Sequence, residues 1–150
     1  MRKIVMSLAL AAAAATSMPA AAQFAKPEEA VKYRQGALIV LAQHFSRIGA
    51  MARGRIPYDP KSAIENAEVV AAMARLPWPA FGKDTEKISN GVKTEAWSEP
   101  ARWREQHEKL ASESIKLVAA AKTQNLDNLK TAFASTANTC KSCHDAYRTN

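Results

Sequence analysis

Only two cysteines occur in the 150 residues, so the chain is short of ligands for a structural zinc site. Such a site takes four side chains, and two of the three histidines, His44 and His107, stand far from the cysteines in sequence. Strand-like alternation is also lacking. That removes the βαβ setting in which a thioredoxin-type redox pair is found. Beyond residue 22, no stretch approaches the roughly 20 apolar residues that a membrane helix needs, and there is neither an internal repeat nor a low-complexity tract. Charge of one sign does not cluster either. The 21 basic residues include Arg2 and Lys3, and without that pair the balance against 14 acids is +5. Lys87, Lys93, Lys109, Lys116 and Lys122 are interleaved with acids and apolar residues, the pattern of a solvated surface. A nucleic-acid face would gather them.

What is present begins with a targeting segment. Arg2 and Lys3 precede a mainly apolar run from Ile4 to Ala15, and Ala20-Ala21-Ala22 supplies an A-x-A cleavage site. Residues 1–22 are therefore expected to be a cleaved signal peptide, too short and wrongly flanked for a membrane span. The mature protein, residues 23–150, is expected to be one exported, periplasmic domain, long enough to bury a core.

The most informative stretch lies near the end, at Cys140-Lys141-Ser142-Cys143-His144. C-x-x-C-H is the attachment signature of a c-type haem. Two thiols add to the vinyl groups, and the imidazole becomes an axial iron ligand. On a helix turning about 100° per residue, Cys143 lies roughly 60° to one side of Cys140 and His144 roughly 40° to the other. All three can meet one porphyrin edge and its iron.

Four helices are predicted around this motif. Lys26-Pro27-Glu28-Glu29 opens the first, roughly 27 to 53, with Val31, Leu38, Leu41, Phe45, Ile48 and Ala52 on its apolar face. Asp59-Pro60 opens the second, carrying Ile64, Ala67, Val70, Ala71, Met73 and Ala74, and Pro77 stops it. From Pro77 to Ser98 the periodicity fails, and Trp78, Phe81 and Trp97 predict a packed excursion over a haem edge. Ser98-Glu99-Pro100 opens the third helix, with Trp103, Leu110, Leu117 and Ala121 inward. Asn125 or Asp127 opens the fourth, whose stripe reads Leu126, Leu129, Phe133, Ala137, Cys140, His144, Tyr147. The fold class is therefore all-α, an antiparallel four-helix bundle with a covalently attached haem c near the C-terminus.

These features resemble the cytochrome c′ family, through Gln23–Glu28, Val31–Gln35, Leu76-Pro77-Trp78 and Cys143–Arg148 as well as the terminal motif. The resemblance implies a periplasmic, usually homodimeric protein with one haem c, bound through Cys140 and Cys143 and ligated by His144. It also implies a five-coordinate, high-spin iron. Leu38, which follows the Arg34-Gln35 pair, would cover the distal face. Low-spin relatives carry methionine near that position, whereas leucine has no lone pair to offer. Arg34, Gln35, Thr94, Glu95 and Arg148 are the further haem contacts that the resemblance implies. Arg148 would favour a neutral imidazole by charge repulsion.

The function expected is binding of diatomic gases, NO and CO, with NO scavenging and a redox-active haem. The alternative is a low-spin electron-transfer cytochrome of the same fold that meets a redox partner protein. Catalysis is not expected, because apart from Arg34 the first helix offers Leu38, Leu41, Ala42 and Phe45 near the pocket, with no acid–base group. His44 and His107 are expected to face elsewhere. A homodimer is expected to use the first two helices, with Ala67, Val70, Ala71 and Ala74 as candidate contacts.

Overall fold

The computed structural model describes residues 23–149. The expected signal peptide, residues 1–22, lies outside the described residues. Four long helices and one short one account for most of the chain: α1 (Pro27–Ala52), α2 (Pro60–Met73), α3 (Glu95–Ser98), α4 (Pro100–Lys122) and α5 (Leu126–Tyr147). No strand longer than a single bridge occurs among the described residues.

Local chemistry sets the boundaries. Pro27, Pro60 and Pro100 each occupy the first turn of a helix, where a missing N–H removes no hydrogen bond. Asp59 caps α2 by accepting from the Lys61 amide, and Asn125 caps α5 by accepting from the amides of Asp127 and Asn128. Of the two expected starts for the last helix, Asn125 is therefore the cap. Glu99, rather than Ser98, is the N-cap of α4, and its side chain makes no capping bond.

α1 packs on α2, α2 on α4 and α4 on α5, and α5 meets α1 to close the bundle. The core runs through Leu41, Ile48, Met51, Val70, Leu110, Leu117, Leu129 and Phe133. Gly49 is needed for the α1–α5 contact. A β-carbon there would lie 2.9 Å from the Phe133 ring, which stacks on Phe45 with centroids 4.6 Å apart.

Two expectations require correction. Ala67, Val70 and Ala74 are wholly buried within the single chain, so they cannot contact a second copy. They face inward because α2 is sandwiched between α1 and α4. The buried side of α1 also differs from the expected stripe. It includes Ala30, Arg34 and Ala37, while Val31 and Leu38 are half-buried. An arginine joins the core because the 77–89 segment folds back over it.

Candidate functional site

The stretch from Pro77 to Ser98 is a packed excursion, as its aromatic residues suggest. It contains two 3-10 segments, Trp78–Ala80 and Lys83–Ile88, followed by α3. Arg34 holds it to α1. The Arg34 Nη1 donates to the Ala80 carbonyl oxygen at 2.7 Å and to Thr85 Oγ1 at 2.8 Å, and Nη2 donates to Ser89 Oγ. The guanidinium also lies 4.0 Å from the centre of the Phe81 ring. Around Phe81, Trp97 and Trp103 form an aromatic cluster, with the Phe81 and Trp103 centroids 4.8 Å apart. Trp78 stacks on His107 at 5.0 Å.

The motif residues stand on the last turns of α5. Cys140 packs against the core cluster, and both cysteines are free and half-buried. Burial pushes both thiols up, Cys143 to about 11, with the neighbouring Cys140 adding to its shift. Reactive and redox cysteines have depressed values, the opposite direction to this pair. His144 sits at the edge of the buried stripe and is exposed. The stripe is centred on Leu129, Thr136 and Tyr147, which leaves His144 to one side of it. Partial burial lowers the His144 pKa, the Arg148 charge lowers it further, and Asp145 opposes both. The imidazole is thus biased towards its neutral, metal-ligating form.

Gln35, Thr94 and Glu95 are exposed, Leu38 is half-buried and Arg148 is exposed. Thr94 and Glu95 follow Lys93, whose amide donates to the Tyr147 carbonyl oxygen at 2.8 Å. That bond brings the loop to the helix end that bears His144. The other possible iron ligands are engaged elsewhere. His44 Nδ1 lies 2.8 Å from Asn66 Oδ1 on α2, and His107 is stacked on Trp78. Met51 is buried in the core, about 20 Å along α1 from Leu38 at 1.5 Å per residue.

Do these residues suit a haem? Among the described residues, no three His, Cys, Asp or Glu side chains converge as a metal-ion site. The donor set is instead two protonated thiols and one imidazole on a single helix edge, which suits a metal that brings its own macrocycle. Arg34 supports the same conclusion. The residue is only 3% exposed, its hydrogen-bond acceptors are neutral oxygens, and burial pulls its pKa down to about 10. It remains a cation at neutral pH, and a buried cation wants an anion. A propionate-bearing group fits that requirement.

A family model described as Cytochrome C' matches residues 29–148. The chain belongs to the cytochrome c′ family. It is 44% identical over 126 residues to cytochrome c′ of Alcaligenes xylosoxydans xylosoxydans, which covers 84% of this chain and 98% of that protein. The structure of cytochrome c′ from Rubrivivax gelatinosus superposes with a TM-score of 0.81 at 40% identity, covering 85% of this chain and all of the other. A nitric oxide complex of a leucine-to-valine variant of the Alcaligenes protein gives a TM-score of 0.80 at 41% identity over 85% of this chain. The helical bundle with its cysteine pair near the C-terminus is thus the cytochrome c′ architecture. Sequence reasoning missed the role of Arg34 as the anchor of the 77–89 segment, and only the acceptors Thr85 and Ser89 could have hinted at it.

Proposed function

We propose that this cytochrome c′ is an exported, periplasmic protein with one haem c, whose iron is five-coordinate and binds NO and CO. Cys140 and Cys143 would carry the thioethers and His144 the axial bond. Arg34, Gln35, Thr94, Glu95 and Arg148 would border the haem, and Leu38 would cover its distal face. Bound there, the haem supplies a redox-active iron with one open coordination position.

One observation carries this reading: α1 presents Leu38, and every mature methionine or histidine other than His144 is committed elsewhere. Met51 is buried in the core, Met73 packs on the core cluster from α2, His44 faces Asn66 and His107 stacks on Trp78. A thioether or second imidazole is what a low-spin electron-transfer cytochrome needs. A leucine-lined pocket also offers no hydrogen-bond donor to a polar Fe–O2 unit, so stable O2 binding is disfavoured. NO complexes of the Alcaligenes relatives support gas binding.

NO scavenging without turnover suits this equipment, because no acid–base group of α1 stands beside Leu38. Homodimer contacts, if formed through α1, would use outward residues such as Tyr33 and Val40, both partly exposed. The test is optical titration of the reduced protein with NO and with CO. Saturable one-to-one spectral changes with both gases support the reading, and a ferrous spectrum that neither gas alters would overturn it.

A further inference from the structure

The helix that carries His144 ends three residues later, at Tyr147. A helix end leaves its last four carbonyls without intrahelical partners and frays unless they are satisfied. Here three of them are satisfied. Arg148 N–H donates to the His144 oxygen at 3.0 Å, Lys93 Nζ to the Asp145 oxygen at 3.1 Å, and Lys93 N–H to the Tyr147 oxygen at 2.8 Å. Beyond Tyr147 the chain turns extended, with Arg148 at φ −98° and ψ 134°. It pairs antiparallel with Val92, and Thr149 N–H donates to the Gly91 oxygen at 3.2 Å. Gly91, at φ +83°, makes the turn that presents this short strap. On the inner side, Tyr147 is 3% exposed, its ring set edge-on to Trp103 with centroids 5.0 Å apart.

We propose that the main-chain clasp between Gly91–Lys93 and Tyr147–Thr149, wedged by Tyr147 against Trp103, is a positioning element for His144. It sets how readily the imidazole would leave the iron once a gas is bound on the opposite, Leu38 side. This inference rests on the gas-binding reading above. The clasp is a link between the 77–98 excursion and α5 close to the motif. The bond strength of an axial histidine depends on the freedom of its helical turn, and losing the clasp returns that turn to an ordinary frayed end.

The test uses the holoprotein and three altered forms of it. Lys93→Pro removes the amide and ammonium donors together. Proline also holds Val92 extended, as the bridge already requires. Lys93→Ala keeps the amide and removes only the ammonium. A chain ending at Arg148 removes the Thr149 bond and nothing else of the clasp, which keeps the question answerable should the proline variant fold poorly. The first readout is the iron–histidine stretching band in resonance Raman of the ferrous protein. The second is the rate at which histidine is lost from the ferrous NO adduct, read by the disappearance of trans-nitrogen hyperfine splitting in electron paramagnetic resonance.

Lys93→Pro and the truncated chain should broaden or lower the band and speed histidine loss by about 5- to 30-fold, the effect of one or two lost hydrogen bonds. Lys93→Ala should change the rate by less than about half as much. An unchanged band and unchanged rates in folded Lys93→Pro and in the truncated chain would overturn the clasp's role. Failure of the unaltered protein to take up NO would instead overturn the gas-binding reading, and the Raman band would still decide the clasp.

Discussion

Replacing Leu38 by alanine should raise gas affinity and lower stability at once. Leu38 is half-buried on α1, one turn after the anchored Arg34. A ligand entering the distal side must push it away, and overfilling a packed site costs about 1–3 kcal/mol. At 1.4 kcal/mol per tenfold, relief of that strain raises CO affinity by roughly 5- to 150-fold. Truncating a fully buried leucine costs about 2–5 kcal/mol. Because Leu38 is only half-buried, the loss here should be roughly 1–2 kcal/mol, scaled from the same range. The assay is equilibrium CO titration of the ferrous protein beside a denaturant melt. Ile39, 62% exposed on the neighbouring face, is the control, and Ile39→Ala should leave CO affinity unchanged. A Leu38→Ala protein that binds CO no more tightly than its parent would refute the steric argument.

Other consequences follow from the packing and the charges. Arg34→Gln should destabilise the holoprotein by about 2–4 kcal/mol in denaturant melts, because charged hydrogen bonds contribute about 1.5–3 kcal/mol each and relief of burial returns part of that. Full retention of stability would show that the 77–89 segment is held by other contacts. Gly49→Ala should destabilise by about 1 kcal/mol despite alanine's better helix propensity, since the new methyl meets the Phe133 ring; a rise in melting temperature would count against the close approach. His107, stacked on Trp78, has its pKa lowered chiefly by burial. The unfolded chain therefore binds the proton more readily, and stability present above the ordinary histidine value is lost as pH falls through the lower folded value. His107→Gln should flatten that part of the pH–stability profile, and an unaltered slope would mean that other groups produce it.

Much of the bundle was legible in the sequence because its signals are local. Asp59, Asn125 and the first-turn prolines mark helix starts through neighbouring amides alone. The i, i+3, i+4 spacing of Leu129, Phe133 and Cys140 likewise reveals which side of α5 faces the core. What escaped depends on distant partners. Arg34 reads as a haem contact by resemblance, but its anchoring role stays hidden until Ala80, Thr85 and Ser89, 46 to 55 positions away, close over it. Ala67, Val70 and Ala74 read as a candidate dimer face because alanine-rich stripes do not say which neighbour covers them. The clasp of Gly91–Lys93 on Tyr147–Thr149 is made mostly of backbone bonds, which leave no side-chain pattern to find. In the candidate site, the cysteines and His144 were legible from the motif, but the exposure of His144 at the edge of its stripe was not.

The central claim is the open sixth coordination position on the iron, and electron paramagnetic resonance of the purified ferric holoprotein tests it most directly. The account predicts a high-spin or spin-admixed signal, because Leu38 offers no lone pair and His44, His107, Met51 and Met73 are held elsewhere. A clean low-spin signal would contradict it, requiring a second protein ligand on the iron and returning the protein to the electron-transfer reading.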